Sequence, residues 1–288
     1  MARIGILMTG GNTGGHTYPL LAVAKKLPGE CDIRYFGDPG PFRAMFQNHG
    51  VRVSRVLSSK LRRYFSWRNF FEPFRFILGF AQALWKVYWF MPAVAFSKGG
   101  PGALAIICAC RFYLIPVVVH ESDAVPGLTN RITAKRAKIV ELAFVDAAPR
   151  LGKIKAKVSV VGSPVREELL RRAPQEQAKR FLVFDPIKPL VLVMGGSQGA
   201  ERINDFIIEH LRTLLDRFQI IHQVGIEKYD EYKNEYEFLT GKWAPEIKRL
   251  YQFHAYLNEN LSEAYDAADL VVSRAGAGAI FECAAKGK

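Results

Sequence analysis

The 288-residue sequence predicts an α/β protein built from two doubly wound, Rossmann-like parallel-sheet domains, the second of them incomplete. Three observations carry that expectation. Short apolar runs alternate with helical patterns, the arrangement that gives a parallel sheet covered on both faces. A Gly-rich turn follows the first apolar run of each half, TGGNTGG at 9–15 and GGSQG at 195–199. The length is natural for two domains, and the boundary is expected at 163/164, giving 1–163 and 164–288.

The elements follow in order. A strand is expected at 4–8, running into the first Gly turn. A helix follows at 18–27, where Leu20, Leu21, Val23, Ala24 and Leu27 recur at helical spacing before Pro28 and Gly29 stop the pattern. Further strands are expected at 32–36, 93–96, 117–120, 139–144 and 158–161. The charged stretch 166–188 reads as a helix plus linker. The second half restarts with a strand at 190–194 and the second Gly turn, then a helix. Strands at 220–223 and 251–254, a helix at 261–268 and a strand at 270–272 complete it. RAGAG at 274–278 makes a third strand–Gly-turn–helix, and Gly287 reads as the cap of that helix. A doubly wound domain would continue with another strand, so the second domain reads as partial and the chain as a fragment.

Composition narrows the function. Apolar residues make up 49% of the chain, enough for sizeable cores, and the disordered and fibrous classes are excluded. Cys31, Cys108, Cys110 and Cys283 are scattered and form no zinc pattern, as expected of reduced thiols. The N-terminal apolar run is too short for a signal peptide, and Glu72, Arg75 and Lys86 interrupt the best membrane-span candidate at 70–90. The net charge of +13 calls for an anionic partner. Between 52 and 91 eight basic residues face Glu72 alone, and the segment 61–96 interleaves five of them with thirteen aromatic residues. A helix that is apolar nearly all round is ordinarily core. Interleaved Trp, Phe and Arg also describe a surface that docks on an anionic membrane, the reading favoured here. Nucleic acid is not expected, since no binding motif accompanies the charge.

The Gly turns carry the chemistry. A strand entering such a turn and then a helix offers free N–H groups and a positive helix end to a phosphate. The first turn is neither GxGxxG nor a P-loop. His16 directly after it suits a general base or a ligand for a substrate oxygen, and a capping or packing histidine fits the same position. Ser197 adds a hydroxyl to the second turn. Glu282 can take two ribose hydroxyls or stand solvated on its helix. His120, Glu121 and Asp123 close a strand at its carboxyl edge, where α/β sites gather. They lack a second ligand set, so no metal or other cofactor is expected.

Taken together, TGGNTGGH at 9–16, VHESDAVPGLTN at 119–130, VGSPVR at 161–166, GGSQGA at 195–200 and SRAGA at 273–277 with Glu282 resemble one family. It is the MurG family of peptidoglycan N-acetylglucosaminyltransferases, two-domain enzymes of the GT-B type. The resemblance implies two domains facing a cleft. It also implies inverting transfer of GlcNAc from UDP-GlcNAc to the muramyl C4 hydroxyl of undecaprenyl-linked lipid I, giving lipid II. A peripheral position on the cytoplasmic face of the membrane follows from that role. By matching positions it puts Thr13, Gly14 and Gly15 near the transferred sugar, and Arg166 and Ser197 near the diphosphate. Asp123 stands where an amide of the family can contact the donor sugar. Leu257 would meet uracil, and Ala277 and Glu282 the nucleoside, with Glu282 on the ribose. His16, as candidate base, and the His120–Glu121 pair would face the acceptor. Gly278 and Ala279 replace bulkier residues of the family, which implies one lost hydroxyl contact. The family also continues beyond Gly287. Two alternatives remain open at this point: a GT-B transferase acting on another membrane lipid, such as a diacylglycerol glycosyltransferase, and a non-catalytic nucleotide-sugar binder.

Overall fold

The computed structural model describes residues 3–59, 68–196 and 198–288. The chain divides into two compact units, Met1–Pro164 and Val165–Lys288.

Among the described residues the first unit contains seven strands: β1 (Gly5–Thr9), β2 (Asp32–Phe36), β3 (Arg52–Ser54), β4 (Val94–Ser97), β5 (Val117–Glu121), β6 (Ile139–Leu142) and β7 (Lys157–Val160). They form one sheet in the order β3-β2-β1-β4-β5-β6-β7, and every pairing is parallel. Its helices are α1 (Gly14–Lys26), α2 (Arg43–Asn48), α3 (Arg68–Phe90), α4 (Ala103–Phe112) and α5 (Leu128–Ala134). Side chains alternate across β1, so both faces are covered. Ile6 and Met8 pack with Leu20 and Phe46 on one side. Leu7 packs with Ala83, Val87 and Ile106 on the other.

The second unit repeats the plan at smaller scale. Its strands β8 (Leu190–Met194), β9 (Gln219–Gln223), β10 (Tyr251–His254) and β11 (Leu270–Ser273) are ordered β10-β9-β8-β11, all parallel. Its helices are α6 (Gln175–Phe181), α7 (Glu201–Glu209), α8 (Leu211–Arg217), α9 (Tyr229–Thr240), α10 (Pro245–Lys248), α11 (Leu261–Ala267) and α12 (Ala277–Lys286). Val191 and Val193 pack with Ile207 and Leu211 on one face. Leu192 and Met194 pack with Leu261 and Tyr265 on the other.

In each sheet the connections leave the first strand in opposite directions. The switch point lies between β1 and β4 in one unit and between β8 and β11 in the other. Open parallel sheets bind ligands outside the carboxyl ends of the strands at such points. All three Gly turns read from the sequence lie there.

The differences from expectation are local. Helix α1 begins at Gly14 rather than at 18, because the two glycines are themselves its first residues. Strand β3 and helix α2 had no expectation: β3 is only three residues long, too short to show a period. The 166–188 stretch supplies a 3-10 turn at Glu167–Leu170 before α6.

Helix α3 is buried along one side only. Ala83 and Val87 are wholly buried, while Phe70, Phe71, Phe74, Leu78, Trp85 and Trp89 are each more than half exposed. The rest of the basic aromatic segment, at 61–67, lies outside the described residues. Among the described residues, no helix is long and apolar enough to cross a membrane.

Gly79, within α3, faces the carbonyl oxygen of Leu57, where an added Cβ would collide with backbone. Gly→Ala inside a helix ordinarily stabilises by about 1 kcal/mol. Here the sign should reverse: Gly79→Ala is expected to lower the thermal unfolding midpoint, followed by circular dichroism. A raised midpoint would mean that α3 is not seated on residue 57.

Candidate active site

In the first unit the turn after β1 packs directly on a turn after β4. Gly100 has φ +91°, and a Cβ there would stand 2.7 Å from the backbone N of Gly11. Two backbones can approach so closely only where both positions lack side chains. Gly11 in turn makes room for the His16 ring: a Cβ there would lie 2.6 Å from its Nδ1. Thr13 occupies the position before α1, and its hydroxyl meets His16 Nδ1 at 3.1 Å. The N–H groups of Gly14 and Gly15 open the helix, where the backbone has no intrahelical acceptor for them.

The turn after β4 was not singled out in the sequence, although SKGGPG at 97–102 after an apolar strand carries the same signal as the others. It contributes Lys98, which is 1% exposed. Its ammonium group donates to His120 Nδ1 at 2.7 Å and to Ser122 Oγ at 2.5 Å. His120 Nε2–H donates to the Gly162 carbonyl at 2.9 Å. Desolvation, aided by the Lys98 charge, brings both His16 and His120 down to about 4, so both imidazoles are neutral near pH 7. Burial lowers Lys98 to about 8, with Glu121, Asp123 and Glu141 holding it up.

Glu121 is committed to the loop that follows it. Its carboxylate accepts from the backbone N of Asp123 (2.9 Å) and of Gly127 (3.0 Å) and from Asn130 Nδ2 (3.0 Å). Asp123 is exposed beside it. His120 and Glu121 therefore both spend their polar atoms inside the unit, whereas His16 uses one ring nitrogen on Thr13.

The second unit repeats the backbone-on-backbone contact. Gly195 would meet the Gln223 carbonyl oxygen at 2.8 Å through a Cβ, and Gly225 (φ +103°) approaches the backbone of Gly199. A hydrogen-bonded chain runs beneath. Tyr251 donates to His222 Nδ1 at 2.9 Å, His222 Nε2–H donates to Asn204 Oδ1 at 3.0 Å, and Asn204 Nδ2 donates to the Val224 carbonyl at 2.8 Å. It ties the start of α7 to β9 and β10. Ser197 lies outside the described residues. Leu257 is buried in the core, and its backbone N donates to Gln223 Oε1 at 2.9 Å.

Arg166 and Glu282 are brought together. Arg166 Nε and Nη2 both donate to Glu282 Oε1, at 3.2 and 3.0 Å. Tyr265, a buried residue no sequence pattern marked, donates its hydroxyl to Glu282 Oε2 at 3.1 Å. Ala277 opens α12 after Gly276, with no side-chain cap, so this helix end too presents free N–H groups. Arg274 Nη1 reaches the Gly199 carbonyl at 3.0 Å and couples the third turn to the second. Among the described residues no three His, Cys, Asp or Glu side chains group as a metal site would require.

The comparisons with known proteins agree with the two-unit parallel-sheet fold. The glycosyltransferase family 28 N-terminal domain matches residues 6–141 and the family's C-terminal domain matches 190–288. A Legionella pneumophila protein is 37% identical over 285 residues, 98% of this chain and 75% of its own length. Its name is UDP-N-acetylglucosamine–N-acetylmuramyl-(pentapeptide) pyrophosphoryl-undecaprenol N-acetylglucosamine transferase. A Bacillus cereus protein, transferase 2 of the same name, is 36% identical over 96% of this chain and 75% of its own. The crystal structure of Acinetobacter baumannii MurG superposes with a TM-score of 0.66 at 25% identity, over 99% of this chain and 76% of that one. Anabaena HepE in complex with UDP and glucose shares the fold at 14% identity and a TM-score of 0.62, over 100% of this chain and 79% of its own. The chain belongs to glycosyltransferase family 28, a family of two-domain GT-B enzymes.

Burial brings His222 down to about 3, so three histidines fold neutral with values far below the unfolded 6.5. Below 6.5 the unfolded chain takes up protons that the folded chain refuses. Their contribution is full above that pH and is lost as pH falls toward 4 and 3. Each histidine should steepen the loss by about 1.4 kcal/mol per pH unit in that window. Urea unfolding of the second unit from pH 7 to 4 should show a shallower pH dependence for His222→Gln. An unchanged slope would remove His222 from the account of acid sensitivity.

Proposed function

We propose that this chain transfers GlcNAc from UDP-GlcNAc to the C4 hydroxyl of the muramyl sugar in undecaprenyl-pyrophosphoryl MurNAc-pentapeptide, with inversion at the anomeric carbon. The observation that carries the reading is the match, over nearly the whole chain, to relatives named for that transfer. The Gly turns at both switch points agree with it. In an inverting displacement the enzyme must remove a proton from the acceptor hydroxyl and stabilise the charge arriving on the leaving UDP. The turn at 195–199, with Ser197, and the opening of α12 supply backbone donors suited to a diphosphate. Arg166 supplies a fixed cation, held by Glu282. Glu282 and Ala277 are assigned to the ribose side, and Leu257 to the uracil. Thr13, Gly14 and Gly15 are assigned to the sugar, with Asp123 beside it. His16 is assigned as the base: a low conjugate-acid value keeps it unprotonated through the physiological range, at some sacrifice of basicity. The preorganised donors around the diphosphate should supply more of the rate than the base does.

The acceptor is a lipid, and the exposed side of α3 suits a membrane surface. Phe70, Phe74, Leu78, Trp85 and Trp89 recur at helical spacing along it, and Phe112 and Leu114 at the end of α4 are also exposed. Aromatic rings on such a helix settle at the headgroup level, and the basic residues of the segment favour anionic lipid. On this reading the protein works peripherally at the cytoplasmic face of the membrane.

UDP release on mixing the protein with UDP-GlcNAc and a lipid I analogue tests the reaction. Release that depends on the analogue is expected; release with diacylglycerol instead would overturn the reading. For the surface, vesicles with anionic lipid should pellet the protein at low salt. Trp85→Ser and Trp89→Ser should each weaken binding by about tenfold, from roughly 1.5 kcal/mol for a ring withdrawn from water. Equal binding by the double variant would place the membrane contact elsewhere.

A further inference from the structure

Lys98 is the least expected group in the first unit. A buried ammonium ion costs several kcal/mol unless hydrogen bonds and charges compensate it. Two of its hydrogens are placed, on His120 Nδ1 and Ser122 Oγ. Glu121, Asp123 and Glu141 supply opposing charge from β5, its loop and β6, and the neutral imidazoles of His16 and His120 face it from α1 and β5. His16 and Lys98 flank the same glycine: a Cβ at Gly10 would lie 3.4 Å from Lys98 Cβ and 3.5 Å from His16 Cβ.

Hydrogen-bond direction then follows from valence. An ammonium group donates and never accepts. The Nδ1 of His120 must therefore be the lone-pair nitrogen, which leaves Nε2 to carry the hydrogen and agrees with its bond to the Gly162 carbonyl. Ser122 Oγ accepts from Lys98, so its own hydrogen points away from Lys98. Ser122 is half-buried at the carboxyl edge of the sheet, between buried Glu121 and exposed Asp123.

We propose that Lys98 is a positioning residue which locks His120 as the Nε2–H tautomer and turns the Ser122 hydroxyl outward as a hydrogen-bond donor to an oxygen of the sugar substrate. The substrate class rests on the transferase reading; the tautomer and the hydroxyl direction do not. The device works while Lys98 holds its third proton. With Lys98 lowered to about 8, the neutral amine that forms at higher pH can accept from Ser122, and the hydroxyl hydrogen is free to turn inward. Activity should therefore fall as pH rises through about 8, through the loss of one proton from Lys98.

Two measurements test this. Long-range ¹H–¹⁵N correlation spectra of the wild-type protein should show His120 neutral and in the Nε2–H form from pH 5 to 7. An Nδ1–H form would overturn the proposal, whatever the variants do. The pH profile of kcat/KM, read by UDP release with a lipid I analogue, should carry a basic limb near 8 in the wild type and lack it in Lys98→Met. At pH 7 Lys98→Met and Ser122→Ala should each lose about three- to tenfold, the scale of one neutral hydrogen bond. The double variant should lose no more than Lys98→Met alone. A retained basic limb, or losses that multiply, would overturn the proposal. Wild-type protein that releases no UDP would instead sink the transferase reading, with the tautomer spectrum still deciding the role of Lys98.

Discussion

The structure depends on one steric constraint, met twice. At each switch point, backbone from the turn after the first strand touches backbone from the turn after a neighbouring strand. Gly100 closes on Gly11 in the first unit, and Gly225 closes on Gly199 in the second. No side chain fits at either contact. The approach aligns the carboxyl ends of adjacent parallel strands and leaves helix-opening N–H groups facing outward from the same edge. The His16 ring is seated over Gly11, and Arg274 bonds the Gly199 carbonyl, so both contacts carry neighbouring side chains directly.

Charge is distributed differently at the two edges. The first unit gathers neutral imidazoles around the buried Lys98, an arrangement suited to handling protons and hydroxyl groups. The second unit has an ion pair, Arg166 with Glu282, tied further by the Tyr265 hydroxyl. Two N–H···O bonds to one carboxylate oxygen fix the plane of the Arg166 guanidinium. The same glycine contact thus sits beside neutral imidazoles and a buried lysine in one unit and beside an ion pair in the other.

Much of the fold was legible because buried parallel strands are short apolar runs and glycine marks the turns between them. Ile6, Leu7 and Met8, all core residues, announce β1 as clearly as Leu190, Leu192 and Val193 announce β8. β3 was illegible because three residues, one exposed and two half-buried, carry no period. Of the site, the residues in Gly-rich or charged motifs could be named. Their partners could not, since pairings such as Arg166 with Glu282 join residues 116 positions apart. Lys98 was missed for a different reason. A lysine beside glycines reads as solvated, and only the β4–β5 neighbourhood shows it inserted between His120 and Ser122. Tyr265 and Asn204 were invisible in the same way, as polar atoms inside apolar patterns.

The most direct test of a donor site in the second unit is a titration of the ¹⁵N-labelled protein with UDP, followed amide by amide. Shifts are expected at Gly195, Gly196, Gly199 and Gly276 and at the opening of α12, with the Arg166 side-chain resonance moving as its charge engages the diphosphate. Shifts confined to Gly10, Gly11, Gly14 and Gly15, with the second unit silent, would contradict the division of labour between the two edges.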